Sequence, residues 1–440
     1  MNINKTLPAL ASLFSLAVCS QSFAVAPPPQ YVQFSPGATK GALYRPDPAA
    51  PVKSGVGLVV MHRNSNFLSH ISTQEMAKRG FTVLGMNPRC DNNEAACAPW
   101  ENNALDVKSG VDYLKKQPGI TKVVLLGHSG GGPTMSFYQA VAEQGVAFCQ
   151  DSVKLIKCGN NLAGLTKADG MILMDAHPGN GVNAVRSLNP AVTNDSAVLN
   201  QNRDPQVNGR LDPFNVHNGF IPNAQSNYSD DFKRRYFMAQ SQRMNFLIKE
   251  ALERLREIEA DGLGDAPFIV PLGDNARLAT GDMRIHQSTL QPRKLIKNDG
   301  SVEARFPVQS VRVPTLSAED GRGFGATMFL TVKSFLSVRA IRSTEAMEGV
   351  DWCSSNNSTN CNLQKVSVPL LVTAMGGHYF IRDSEVFFDM AASKDKDFFV
   401  IEGATHGGTP CTPCQKSSGQ YSNATKNLFD LMQTWINQRF

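Results

Sequence analysis

Residues 123–132, Val-Val-Leu-Leu-Gly-His-Ser-Gly-Gly-Gly, restrict the fold more than any other stretch of the chain. Four unbroken apolar residues suit a strand covered on both faces, as in a parallel sheet. They run straight into Gly127-His128-Ser129-Gly130-Gly131, and a helix-like segment, 133–142, follows. Gly-x-Ser-x-Gly between a strand and a helix marks a turn too tight for side chains on either side of the serine. Such a turn holds Oγ up at the carboxyl edge of the sheet, against a helix N-terminus that favours developing negative charge.

The neighbouring segments alternate. Strands read at 56–61 and 81–86, and helices at about 72–79 and 103–117. This order predicts an α/β fold with a doubly wound, mostly parallel sheet. Two short strands, 31–34 and 41–44, joined by Ser35-Pro36-Gly37, predict an antiparallel hairpin at its edge. A further buried strand, 168–175, ends in Asp175. From about 180 to 365 the alternation stops. Residues 186–228 read as irregular loop, rich in Asn, Asp and Pro. Residues 230–260 form the clearest helix of the chain, with Phe237, Met244, Ile248, Leu252 and Leu255 as its apolar stripe. Residues 328–341 read as a second helix. Strands at 366–375 and 397–401, with helices at 383–392 and 427–438, resume the sheet.

The N-terminus reads as a secretory signal peptide: a short basic start, an apolar run over 7–18 and the small-x-small site Ala24-Val25-Ala26, with the cut after Ala26. No later run is long enough to span a bilayer, so no integral membrane segment is expected after cleavage. Of the nine cysteines, Cys19 falls in the leader. The others lie in close pairs, predicting Cys90–Cys97, Cys149–Cys158, Cys353–Cys361 and Cys411–Cys414 disulfides in a secreted or periplasmic protein. Cys411-Thr-Pro-Cys414 has CxxC spacing, but no second CxxC accompanies it and no metal is expected. The net charge of +5 is mild and unclustered, which argues against nucleic acid as a partner.

The strand 57–61 with His62, the helix 104–116 leading through Pro118-Gly119, the elbow Gly127–Gly131 and Glu402-Gly-Ala-Thr-His406-Gly-Gly together resemble the α/β hydrolase superfamily. The resemblance covers about residues 55–178 and 365–440. It implies a core formed by 27–179 and 366–440, with 180–365 inserted as a large mixed cap over the site. It also implies a serine hydrolase of esterase or lipase type. Ser129 would attack, and His406, in the loop past the last strand, would serve as base. The turn after the seventh strand, Met375-Gly-Gly-His378, carries no carboxylate where the family keeps its acid. Asp175, whose context resembles the strand-six aspartate of pancreatic-type lipases, is the first candidate. Glu385 and Asp383 are the alternatives. Gly130 and either Arg63 or Asn64 would supply the oxyanion-hole N–H groups. Arg63 either places a cation at the pocket rim or is merely solvated, and His128 is read as structural. No cofactor is required. A small or polymeric ester is the expected substrate; an amidase, lactonase or polyester depolymerase would show the same core, and a binding protein on a hydrolase scaffold is the alternative class.

Overall fold

The apolar runs become strands, as their composition requires. In the computed structural model, which describes residues 28–34, 38–50, 54–193, 206–222 and 224–440, the core opens with β1 (Gln30–Gln33), β2 (Lys40–Tyr44) and β3 (Val56–Met61). There follow α1 (Ile71–Lys78), β4 (Thr82–Asn87), α2 (Asn103–Lys115), β5 (Lys122–His128), α3 (Gly131–Gln144) and β6 (Gly170–Met174). The middle of the chain contributes α4 (Asn180–Ser187), α5 (Asp230–Ala260), β7 (Pro267–Val270), β8 (Arg293–Ile296), β9 (Val302–Arg305) and β10 (Met328–Thr331). β11 (Leu370–Met375), α6 (Ile381–Met390), β12 (Lys396–Ile401) and α7 (Ala424–Asn437) close it.

Ten strands form one sheet in the order β1-β2-β4-β3-β5-β6-β11-β12-β8-β9. From β4 to β8 every pairing is parallel; β1–β2, β2–β4 and β8–β9 are antiparallel. Alternate residues of each central strand feed opposite layers. Val59, Leu125 and Leu173 pack with α2, α3 and α6, while Val60, Leu126 and Ile172 pack with α1 and α7. Register then sets the site. His128 pairs with Met174, and Met174 with Thr373, so the chain leaves β5, β6 and β11 at neighbouring points on one edge.

The insertion departs from its sequence reading in three places. Residues 293–305, assigned to the cap, form β8 and β9 and extend the main sheet, β8 lying parallel to β12. Residues 328–341 do not make one helix: Met328–Thr331 is a strand paired with β7, and helical turns begin only at Val332. α4 starts directly after Gly179, where no helix was expected. The long helix α5 matches its predicted span. Ser229 caps it by accepting the Phe232 N–H, and Met244 and Ile248 are buried, with Phe237, Leu252 and Leu255 half-buried beside them.

All four cysteine pairs lie at bonding distance, with Cα–Cα separations of 5.1–5.5 Å. Among the described residues no helix is long and apolar enough to cross a membrane. The signal peptide and the Ser35-Pro36-Gly37 turn lie outside the described residues.

The Cys353–Cys361 loop carries a run of polar side chains, Ser354 to Asn362, that is buried throughout. Glu101 is buried against it, accepting from Asn356 Nδ2 (3.0 Å) through Oε1, while Oε2 has no protein partner. Burial pushes the Glu101 carboxyl up to about 7, against the pull of the Asn356 hydrogen bond. A raised carboxyl makes the folded state bind the extra proton, so its contribution to stability falls as pH rises from about 4.5 through 7. Urea titrations of Glu101→Gln should show that this loss, on the order of 2–3 kcal/mol, has disappeared, leaving the variant more stable than the parent at pH 8. An unchanged pH slope would count against the assignment.

Candidate functional site

The strand-to-helix turn after β5 is held by close backbone approach. A Cβ on Gly127 would lie 2.6 Å from the Gly131 carbonyl oxygen, and one on Gly131 would lie 2.5 Å from that of Met61. Between them Ser129 adopts φ +57°, a left-handed conformation that a non-glycine residue holds only under constraint. The constraint is visible: the Ser129 N–H donates to the Met174 carbonyl, and its own carbonyl accepts the N–H groups of Gly132 and His177. Oγ is thereby presented on the carboxyl edge of the sheet.

Asp175 leaves β6 one strand away, also at positive φ (+42°), and is fully buried. Its Oδ1 accepts the Met375 N–H (3.1 Å), and its Oδ2 accepts His406 Nδ1–H at 2.6 Å. His378 Nδ1 lies 2.7 Å from the same oxygen but is poorly directed for a hydrogen bond. Burial alone would raise this carboxyl; the two imidazoles beside it hold it well below the usual carboxylate range. The His378 and His406 rings stack with centroids 4.3 Å apart. Asp175, His378 and His406 offer ligand atoms within 4.8 Å of one another. The oxygen–nitrogen spacings of 2.6 and 2.7 Å are shorter than the roughly 3.3 Å that ligands keep around a tetrahedral cation. The group therefore reads as a carboxylate holding imidazoles.

The neighbour of Ser129 is a residue that sequence reasoning left unassigned. Ser129 Oγ lies 3.0 Å from His177 Nε2, and no hydrogen bond joins it to His406 among the described residues. Asn180 Nδ2 and its backbone N–H both donate to Asn357 Oδ1 (2.8 Å each), which turns Asn180 Oδ1 toward His177 Nδ1 (3.0 Å). His177 thus carries its proton on Nδ1, and Nε2 accepts from the serine. Its ring lies nearly parallel to that of His406, centroids 6.4 Å apart. Burial and then the neighbouring His406 push the His177 imidazole well below its ordinary value. His177 follows Asp175 by two residues; the signal available was its place in the Asp-x-His sequence at a strand end.

Three further histidines, His128, His70 and His62, form supports around these groups. His128 Nε2–H donates to the His406 carbonyl (2.8 Å), so its Nδ1 accepts from His70 Nε2–H (3.0 Å), and His70 Nδ1 accepts from Ser72. Burial lowers His70 and His378 to about 4 and holds His128 well below its ordinary value, so these three rings are neutral. His62 points its Nδ1 at the N–H groups of Asn64 (3.4 Å) and Ser65 (3.1 Å), and its Nε2 lies against Gly130. With the Asn64 N–H turned onto this ring, Arg63 is the better placed of the two second-donor candidates.

Three sequence readings change. The Arg63 side chain is neither solvated nor a free cation: it is buried in an ion pair with Glu94, which Arg339 also binds (2.5 and 2.9 Å). Asp383 does not reach His406. It is buried in an ion pair with Arg186 (2.6 Å), with His286 at 3.2 Å. Glu385 likewise faces away, accepting from Arg293 Nε and the backbone N–H groups of Leu290 and Gln291. Both carboxylates instead tie the insertion to α6.

Strand order, the elbow serine at the end of β5, and the acid and histidine loops following in the chain order Ser…His near one sheet edge decide the architecture. The fold is that of the α/β hydrolases. No family model matches the sequence, and no curated protein matches it. Similar solved structures include Est1E from Butyrivibrio proteoclasticus (12% identity over 93% of this chain and 100% of that one, TM-score 0.36) and a dienelactone hydrolase from Anabaena variabilis (10%, 94% and 99%, 0.37). A proline iminopeptidase from Mycobacterium smegmatis is another (12%, 93% and 98%, 0.38). The statement of fold rests on the topology of the sheet.

Because Asp383 is buried with Arg186, its role is in stability. Asp383→Ala should cost about 3–5 kcal/mol by urea unfolding, since it strands a buried guanidinium. Any hydrolase activity per folded molecule should stay within a few-fold of the parent; a collapse of activity with normal stability would return Asp383 to the candidates for the acid.

Proposed function

We propose that this chain is an exported serine hydrolase that cleaves a carboxylic ester through an acyl-enzyme formed on Ser129. One observation carries the reading: a conformationally strained serine on the sheet edge, hydrogen-bonded to the His177 imidazole, whose ring lies nearly parallel to and 6.4 Å from that of His406, itself fixed through Nδ1–H on a buried carboxylate. The four cysteine pairs support export.

In the proposed cycle His406, with its Nδ1 proton on Asp175, offers Nε2 as base. The Ser129 hydroxyl turns from His177 toward it as substrate enters. Oγ bonds to the ester carbonyl carbon, its proton passes to His406 Nε2, and the imidazolium is stabilised by Asp175. The same proton leaves with the alcohol. Water then repeats the sequence and releases the acid. The N–H of Gly130 and that of Arg63 receive the oxyanion. His406 is preferred to His177 as base because a carboxylate partner stabilises imidazolium, whereas Asn180 offers only an amide oxygen.

Fluorophosphonate labelling and hydrolysis of short p-nitrophenyl esters should both vanish in Ser129→Ala; labelling that survives would remove the serine from the mechanism. Asp175→Asn should lower kcat by about four orders of magnitude, as in related triads. His406→Ala should match that loss, with His177→Gln costing far less. The reverse ranking would make His177 the base and Asn180 its orienting group.

A further inference from the structure

Beside the site, where the insertion meets the core, lies a cavity of about 270 Å³. Tyr379 forms one wall. Its ring is 4.1 Å from that of His378, which in turn stacks on His406, so the cavity lies within about two ring spacings of the proposed base. Arg277 forms another wall. It is more than nine-tenths buried, and its guanidinium sits 4.9 Å over the Tyr379 ring. Nη2 donates to Asn183, through Oδ1 at 2.8 Å and the carbonyl at 3.4 Å. Among the described residues Nε and Nη1 have no hydrogen-bond acceptor, and no carboxylate lies within 4 Å of the group.

That isolation is unusual for a buried cation, which ordinarily pairs with an acid or saturates its donors. The neighbouring Arg312 shows the ordinary solution. It too flanks Tyr379, but it donates to Gln287 Oε1 and to the Val313 and Ala279 carbonyls at 2.6–2.7 Å. Ser187, Thr280 and Tyr379 also line the Arg277 cavity, the Thr280 hydroxyl donating to the Arg277 carbonyl (2.7 Å). Two carboxylates also line it and must be counted. Asp274 accepts the Asn275 N–H and lies 3.9 Å from Arg339, and Asp320 is exposed at the rim.

We propose that this cavity binds a carboxylate on the acyl side of the ester, making the preferred substrate a half-ester of a dicarboxylic acid, with Arg277 as the residue that selects it. The proposal rests on the serine hydrolase reading for the cleavage step, but not for binding. A planar guanidinium with a free edge matches a carboxylate in two parallel hydrogen bonds, a geometry the Asp274 and Asp320 carboxylates on the same lining do not supply to it. The ring-stack distance from cavity to base suits an acyl chain of about four to six carbons.

The test compares mono-p-nitrophenyl succinate, glutarate and adipate with neutral p-nitrophenyl esters of the same chain lengths and with the ester of 4-trimethylammoniobutyrate. The parent should favour the best anionic ester tenfold or more in kcat/KM. Arg277→Gln should abolish that preference while keeping turnover of the neutral esters, and Arg277→Lys should retain part of it. Preference for the neutral or cationic ester would overturn the proposal, the latter pointing to Asp274 and Asp320. Equal loss on all esters in Arg277→Gln would show a structural role only. Calorimetric titration of monomethyl adipate into Ser129→Ala protein reads the subsite without turnover. Binding that disappears on adding Arg277→Gln supports it, and absence of binding to Ser129→Ala protein overturns it. Fluorophosphonate labelling of the parent separates failure of the subsite from failure of the hydrolase reading.

Discussion

A carboxylate with no solvent exposure is the point on which the site turns. Removing the Asp175 charge from water costs several kcal/mol, which must be offset locally or the group takes up a proton. The Met375 N–H and the His406 and His378 rings supply the offset, and the carboxyl stays ionised. These partners come from two loops, the one that leaves β11 at Met375 and the one that follows β12. They meet because β6 lies between β5 and β11 in parallel register, so successive strand ends open on one edge. The parallel sheet is therefore the device that delivers the buried charge to the imidazole, and a one-residue slip of β6 would turn Asp175 to the other face.

Five histidines around the site obey the same electrostatics with the opposite outcome. His62, His70, His128, His177 and His378 are all lowered by burial and stay neutral at physiological pH. Neutral imidazoles relay direction as well as occupy space. Each has one donor and one acceptor, so the run from Ser72 through His70 and His128 to the His406 carbonyl has a single consistent proton arrangement. It fixes the backbone of the loop whose side chain must meet Asp175. That loop is closed on its far side by the Cys411–Cys414 pair, with the Cys411 N–H on the Gly403 carbonyl.

Much of this was legible in the sequence, for reasons that differ by element. The central strands showed because double burial leaves nothing but apolar residues. The elbow showed because backbone contact at Gly127 and Gly131 admits no Cβ. β8 and β9 did not show: Val-Glu-Ala-Arg is the edge strand and exposed throughout, and Arg-Lys-Leu-Ile beside it buries only two residues, too short an apolar signal to read. The 328–341 stretch misled because an apolar run of that length fits strand or helix, and pairing with β7 decided it. Asn180 and Asn357 were invisible as a pair, since 177 positions separate two residues that share one hydrogen-bond system. Arg63 was read as exposed because its partner Glu94 lies in the Cys90–Cys97 loop, whose folding no local pattern announces.

For the proposed proton transfer from Ser129, the receiving ring can be weighed by asking where a positive charge is tolerable. Transfer of the hydroxyl proton makes an imidazolium on whichever ring receives it. On His177 that charge would be half-buried and face an amide oxygen, with Arg63 and His62 adding repulsion. On His406 it would face Asp175 Oδ2 at 2.6 Å and remain one-third exposed to solvent. Each 1.4 kcal/mol between these two settings is a factor of ten in which ring takes the proton. An unneutralised buried cation differs from an ion-paired one by several times that amount. The resting contact with His177 therefore concerns the neutral hydroxyl, which needs only an acceptor. The reacting alkoxide–imidazolium pair needs a counter-charge, and within this cluster only the His406 side has one.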